Sequence, residues 1–312
     1  MGSGQGTFTA TCALRSASIR LAGLCQAERH RCGSVPALDQ VNKNGKSKGA
    51  VRRAPVAAPT GPGVREQEAL ADVPIWNEAL FGAELLLLHA SPVYYGLGVP
   101  RGDGSAVIVI PGFLGTDLYV THLHSWLQRI GYRSYLSGIG MNAECPNLLI
   151  RYRLVETMKK AVAATGRKVH LIGHSLGGII ARSLAAQRPK DVASVITLAA
   201  PFRGTVMHHS VLQAAKVVRN HILSAYGDRV LPDCYTPRCT CDFVSSLRCR
   251  MPACVAATAI YTRDDGMVDS RFCKTGKPDC DFEVSGTHVG LVFNPSVYSI
   301  IADRLAGART PH

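Results

Sequence analysis

Five residues, GHSLG from Gly173 to Gly177, set one serine between two glycines, after an apolar run and before a helix-like one. A serine hydroxyl attacks a carbonyl carbon once a base removes its proton. The base is usually a histidine, and the histidine needs an acid to orient it. The pentapeptide alone does not separate a nucleophile from a tight turn. Its position does: a sharp strand-to-helix turn lifts the Ser175 hydroxyl out of a sheet, beside the positive end of a helix.

In such a scaffold the chain order is serine, then acid, then histidine, each after a strand. AIYTRDDGMVD offers Asp264, Asp265 and Asp269. Asp265 is preferred, because the turn DGMV delivers its carboxylate and Met267 and Val268 anchor the loop. FEVSGTHVGL places His288 in a glycine-flanked loop, and no other histidine lies between His221 and His312. An oxyanion hole needs two backbone donors. One is the amide of Leu176, directly after the serine. IPGFLGTD points to the amide of Phe113 as the other, with Leu114 as the alternative. His174 precedes the serine, and strand alternation turns it away from the site. His122 and His124 belong to a helix and are not catalytic. Phe113, Tyr119 and Phe202 either line an acyl pocket or pack in the core.

These residues need a frame, and the pattern supplies one. SAVIVIPG, YRSYLSG, KVHLIGH, VASVITLAAP, VAATAIYTR and FEVSG read as strands. Helical segments alternate with the first of them: LYVTHLHSWLQRIG, with Thr116 and Asp117 as caps, NLLIRYRLVETMKKAVAATG, LGGIIARSLAAQRP, and finally SVYSIIADRLAGA. Short apolar runs alternating with helices mean a parallel sheet buried on both faces. From Phe202 the rhythm stops for about 50 residues. A long insertion between core strands is usually functional or cross-linked, and here it would overlie the C-terminal strand ends, where open α/β sheets bind ligands.

The chain has 312 residues and a net charge of +13. Residues 1–65 carry ten Lys and Arg against two Asp and Glu and have no hydrophobic period. They are expected to be a disordered basic segment, with an α/β domain over 66–312 and a lid or insertion at about 203–254. EQEALADVPIWNEALFGAELLLLHA reads as one or two helices packed on that domain. No run of about 18 apolar residues is present, which argues against a membrane-spanning helix. Zinc-finger spacings and aromatic RNA-binding motifs are absent, so the basic segment does not call for nucleic acid. ASIRLAGLCQAERHR is broken by Arg20 and does not read as a secretory signal.

Eleven cysteines are present, seven of them between Cys234 and Cys280. With Cys145 these make eight, enough for four disulfides; structural zinc and free thiols are the other readings. Disulfides would favour a secreted or periplasmic location, thiols a cytoplasmic one. His208 and His209 open the insertion and read as loop histidines.

VIVIPGF, VHLIGHSLGG, ITLAAPFRGT, DDGMV and GTHVGL together resemble the bacterial lipase/esterase group of the α/β-hydrolase superfamily, over roughly residues 105–305. The resemblance implies an α/β-hydrolase fold and hydrolysis of hydrophobic carboxylic esters. Ser175, Asp265 and His288 would form the triad, with Phe113 and Leu176 as oxyanion donors. It implies no cofactor or metal, a hydrophobic ester as the partner and transient contact with a lipid interface. An acyltransferase or glycolipid deacylase would keep the same triad. A non-enzymatic homologue would usually have lost the serine or the histidine.

Overall fold

Six strands form one sheet: β1 (Ala106–Ile110), β2 (Arg133–Leu136), β3 (Val169–His174), β4 (Val192–Leu198), β5 (Ala256–Tyr261) and β6 (Asp281–Glu283). This computed structural model describes residues 75–308, apart from Thr205; the basic segment expected at 1–65 lies outside the described residues. The strand order is β2-β1-β3-β4-β5-β6. Every neighbouring pair is parallel.

The expectation of a sheet covered on both faces is met, because β1, β3 and β4 are buried at every position. Alternation along β1 explains how. Val107 and Val109 pack on one face with Trp126 of α2 (Thr121–Arg129) and Tyr298 of α7 (Pro295–Gly307). Ala106, Ile108 and Ile110 pack on the other. Their neighbours there include Met158 of α3 (Val155–Thr165) and Ile180 of α4 (Leu176–Gln187). A π-helical stretch, Ile150–Leu154, leads into α3, and Gly166 ends that helix with a φ of 66°.

Before the sheet, a short 3-10 turn, Ile75–Leu80, runs into α1 (Phe81–Ala90). Leu88 anchors α1 in the core, as the apolar pattern there implied. Between β4 and β5 the insertion holds α5 (His209–Tyr226) and α6 (Asp242–Leu247).

Two local expectations are corrected. Thr116 makes no side-chain cap hydrogen bond, and Asp117 does not cap α2. Its carboxylate accepts hydrogen bonds from Ser137 N (3.2 Å), Ser137 Oγ (2.6 Å) and Gly138 N (2.9 Å), tying the loop after β1 to the loop after β2. A carboxylate satisfied by a neighbouring loop is not available to its own helix. The last strand is also shorter than FEVSG. It ends at Glu283, and the chain then leaves the sheet to form the loop that carries His288.

The cysteine cluster is mixed. Cys249 and Cys254 are disulfide-bonded. Cys145, Cys234, Cys239, Cys241, Cys273 and Cys280 are thiols, and Cys234 donates to Cys145 Sγ at 3.2 Å. Among the described residues no three His, Cys, Asp or Glu side chains converge as a metal site. His208 caps α5 by accepting from Ser210 N.

Candidate active site

The turn after β3 is tight. Ser175 has φ 50° and ψ −122°, a conformation a side chain rarely adopts. Close packing enforces it. A Cβ on Gly177 would lie 2.4 Å from the carbonyl oxygens of Ile110 and Pro111, so only glycine lets α4 start this near β1. The Ser175 amide donates to Leu198 O at 2.8 Å, which pins the turn to β4. Leu114 and Ala199 also have positive φ, at 58° and 46°. Strained backbone therefore gathers where β1, β3 and β4 end, as it often does at functional sites.

The loop after β1 is held from below. Buried Asn142 donates through Nδ2 to Pro111 O at 2.8 Å, and its backbone pairs with Leu114 N and Gly115 O. The Leu114 amide is therefore occupied. The amides of Phe113 and Leu176 make no protein hydrogen bond among the described residues, and both residues line the same cavity as Ser175. Of the two alternatives for the second donor, this geometry favours Phe113.

Asp265 and His288 meet at the other side. His288 Nδ1 donates to Asp265 Oδ2 at 2.7 Å, and each residue is only 2% exposed. Asp265 Oδ1 accepts from Met267 N and Val268 N, both at 2.8 Å, so the turn does deliver the carboxylate. Asp264 is exposed. Asp269 is engaged by Arg271 at 2.5 Å. Neither of those is available to His288. Burial works against a protonated His288, but the charge and hydrogen bond of Asp265, aided by Glu78, outweigh it and raise its pKa above the ordinary value.

His174 does not turn away as strand alternation suggested. It is buried with its ring centroid 4.9 Å from that of His288, and its Nε2 donates to His288 O at 2.9 Å. Burial brings its pKa down to about 3, so it packs beneath the loop as a neutral ring. His122 and His124 stay on α2, bonded to Tyr94 and Ser134.

Two residues that the sequence did not single out stand behind the dyad. Glu78 accepts backbone hydrogen bonds from Gly266 (2.9 Å), His288 (3.0 Å) and Val289 (2.8 Å). Glu84 accepts from Thr287 N at 2.8 Å and Thr287 Oγ1 at 2.6 Å. The available signal was a pair of acids in an otherwise apolar segment, since a buried carboxylate needs donors.

Ser175, Phe113, Leu176 and His288 line one cavity of about 1100 Å³. The insertion contributes Val211, Leu212, Val244 and Leu247 to its walls, and Tyr119 and Phe202 also reach it. The arrangement holds an apolar group beside a hydroxyl, two backbone donors and a carboxylate–imidazole pair.

The family comparison agrees with this architecture. Residues 106–246 match the family model of the alpha/beta hydrolase fold. A triacylglycerol lipase of Burkholderia plantarii is 35% identical over 135 residues, covering 40% of this chain and 37% of that protein. One from Pseudarthrobacter phenanthrenivorans is 37% identical over 108 residues, 32% of this chain and 34% of its own length. The chain thus spans little more than a third of either relative. Among solved structures, a monoacylglycerol lipase of Paleococcus ferrophilus aligns over 68% of this chain and 97% of its own. Its TM-score is 0.46 and its identity 14%.

Proposed function

We propose that this protein belongs to the bacterial lipase/esterase group of the α/β-hydrolases, which it resembles over part of its length, and that it hydrolyses carboxylic esters of hydrophobic acids through Ser175, His288 and Asp265. The observation that carries the reading is the buried 2.7 Å hydrogen bond from His288 to Asp265, beside a cavity that also contains the strained Ser175.

Asp265 accepts a hydrogen bond from Nδ1–H of His288, which holds the proton on Nδ1 and leaves Nε2 with a lone pair. Ser175 Oγ attacks the ester carbonyl carbon while Nε2 accepts the hydroxyl proton. The electron pair of the carbonyl moves onto oxygen, and the amides of Phe113 and Leu176 stabilise that oxyanion. Removing one such donor typically costs about 2.7–4 kcal/mol in the barrier. The tetrahedral intermediate collapses, the ester C–O bond breaks, and the alcohol leaves with the proton from His288. Water, deprotonated by His288, then attacks the acyl-enzyme and releases the acid. Asp265 stays ionised throughout and stabilises each imidazolium.

The apolar walls supplied by the insertion support an acyl chain as the buried part of the substrate. The test is hydrolysis of p-nitrophenyl esters across chain lengths with Ser175→Ala alongside. Wild type should cleave, and the variant should lose at least about 10³-fold in kcat. A variant as active as wild type would remove Ser175 from the mechanism.

A further inference from the structure

We propose that Glu78 is a positioning residue of the site: its carboxylate joins the Asp265 loop to the His288 loop and sets both the placement and the charge environment of the imidazole. The proposal rests on the hydrolase reading above for its kinetic arm, but not for its spectroscopic one.

The geometry is unusual for a residue so far away in sequence. Glu78 Oε1 accepts from Gly266 N at 2.9 Å and from His288 N at 3.0 Å, and Oε2 accepts from Val289 N at 2.8 Å. One donor follows the acid directly, another belongs to the histidine itself, and the third follows it. A buried carboxylate is costly unless its oxygens are hydrogen-bonded. Here those bonds are made only if the two loops keep a fixed separation, so the carboxylate acts as a gauge between them. Sub-ångström placement matters, because a misplacement of 1 Å at a reacting group can cost about a hundredfold in rate.

Glu84, six residues further on, secures the His288 loop through Thr287 N and Oγ1. Glycines on either side of His288 make room for it. A Cβ on Gly286 would lie 2.6 Å from Glu84 Oε1, and one on Gly290 would overlap the Glu84 carboxylate. The glycines of GTHVG are thus the mould into which a residue some 200 positions earlier fits.

The groups facing His288 come from several elements. Asp265 accepts a hydrogen bond from its Nδ1, and Glu78 accepts one from its amide. From β3, His174 abuts the ring and is kept neutral by burial. From the loop after β1, the buried Tyr119 hydroxyl donates to Val289 O at 2.6 Å, and burial, with Glu78 and Glu84 adding to it, keeps the phenol protonated. Glu84 stands behind Thr287, and Ser175 shares the cavity. The charges that act on the imidazole are those of Asp265 and Glu78, both negative; the cations Arg182, Arg203, Lys216, Arg219 and Arg248 line the same cavity. Glu78 adds to Asp265 in favouring imidazolium, against burial.

The sign follows. Neutralising Glu78 makes imidazolium less favourable, so His288 should titrate at lower pH, and the acid limb of kcat/KM should move down with it. The experiment compares wild type, Glu78→Gln, Glu78→Asp and Leu88→Ala. It measures p-nitrophenyl ester hydrolysis against pH, the His288 titration midpoint by NMR, and thermal stability. Glu78→Gln keeps one carbonyl oxygen and loses the charge. It should lower kcat about tenfold with little change in KM. Both midpoints should fall by about half a pH unit. Glu78→Asp keeps the charge but shortens the reach, so kcat should fall while the midpoints stay near wild type. Leu88→Ala loosens α1 by packing alone; it should lower stability and leave both midpoints in place. Wild-type midpoints in Glu78→Gln, or a shift of equal size in Leu88→Ala, would overturn the proposal. An inactive wild type would defeat the hydrolase reading, and the NMR midpoint would still decide the role of Glu78.

Discussion

The two halves of the site are built by different means. The serine half is local. Ser175, Leu176 and the Phe113 loop are placed by backbone geometry, by a close approach at Gly177 that a Cβ would block, and by strand pairing of β1, β3 and β4. The acid–histidine half sits on long loops after β5 and β6, which pair over only a few residues. It is held by side-chain carboxylates, Glu78 and Glu84, from a segment that precedes the sheet. Backbone packing makes a rigid half that few substitutions adjust. Carboxylate clamps make a half whose charge and position can be changed one residue at a time.

Substitutions can break this contrast or sharpen it. The largest effect belongs to the dyad: Asp265→Asn should lower kcat about 10⁴-fold by upsetting the histidine tautomer. Asp264→Asn, on an exposed carboxylate, should stay within about twofold; steady-state kinetics of the two variants checks this. Next comes the rigid half. Gly177→Ala drives a methyl group into the Ile110 and Pro111 carbonyls and should cost at least about 1–3 kcal/mol of stability by overpacking. Denaturant unfolding reads that loss, and kcat should fall with it. The clamp half should respond without global unfolding: Gly290→Ala displaces Glu84 and should lower kcat about tenfold while the melting temperature moves by only a few degrees. A smaller effect lies in pH. His288 has to be neutral to accept the serine proton, and its pKa is raised from 6.5. The acid limb of kcat/KM in wild type should therefore centre above 6.5, and a pH–rate profile measures it.

The same contrast decides what the sequence discloses. β1, β3 and β4 are legible because each is a run rich in β-branched and other apolar residues, and each is buried at every position. Ser175 is legible from its elbow, and Asp265 and His288 from their order after late strands. Those signals are all contiguous in the chain. Glu78 and Glu84 are not, because WNEALFGAELLLL looks like a core helix with incidental acids. Their partners lie about 200 residues on, in backbone amides that no sequence pattern marks. Asp117 was misread for the same reason. A cap is a local signal, whereas its true partners are on the loop after β2. His174 follows strand alternation as far as burial, but the loop of His288 folds back over it. The insertion is legible as a break in rhythm, but cysteine counting does not single out Cys249 and Cys254 as its disulfide-bonded cysteines.

The central claim is that Ser175 is the nucleophile that the dyad activates. Its most direct test is covalent labelling with a fluorophosphonate followed by peptide mass mapping. The account predicts one stoichiometric adduct on Ser175, lost in Ser175→Ala and strongly slowed in Asp265→Asn. An adduct on another residue, or full ester hydrolysis by protein that takes no label, would contradict it.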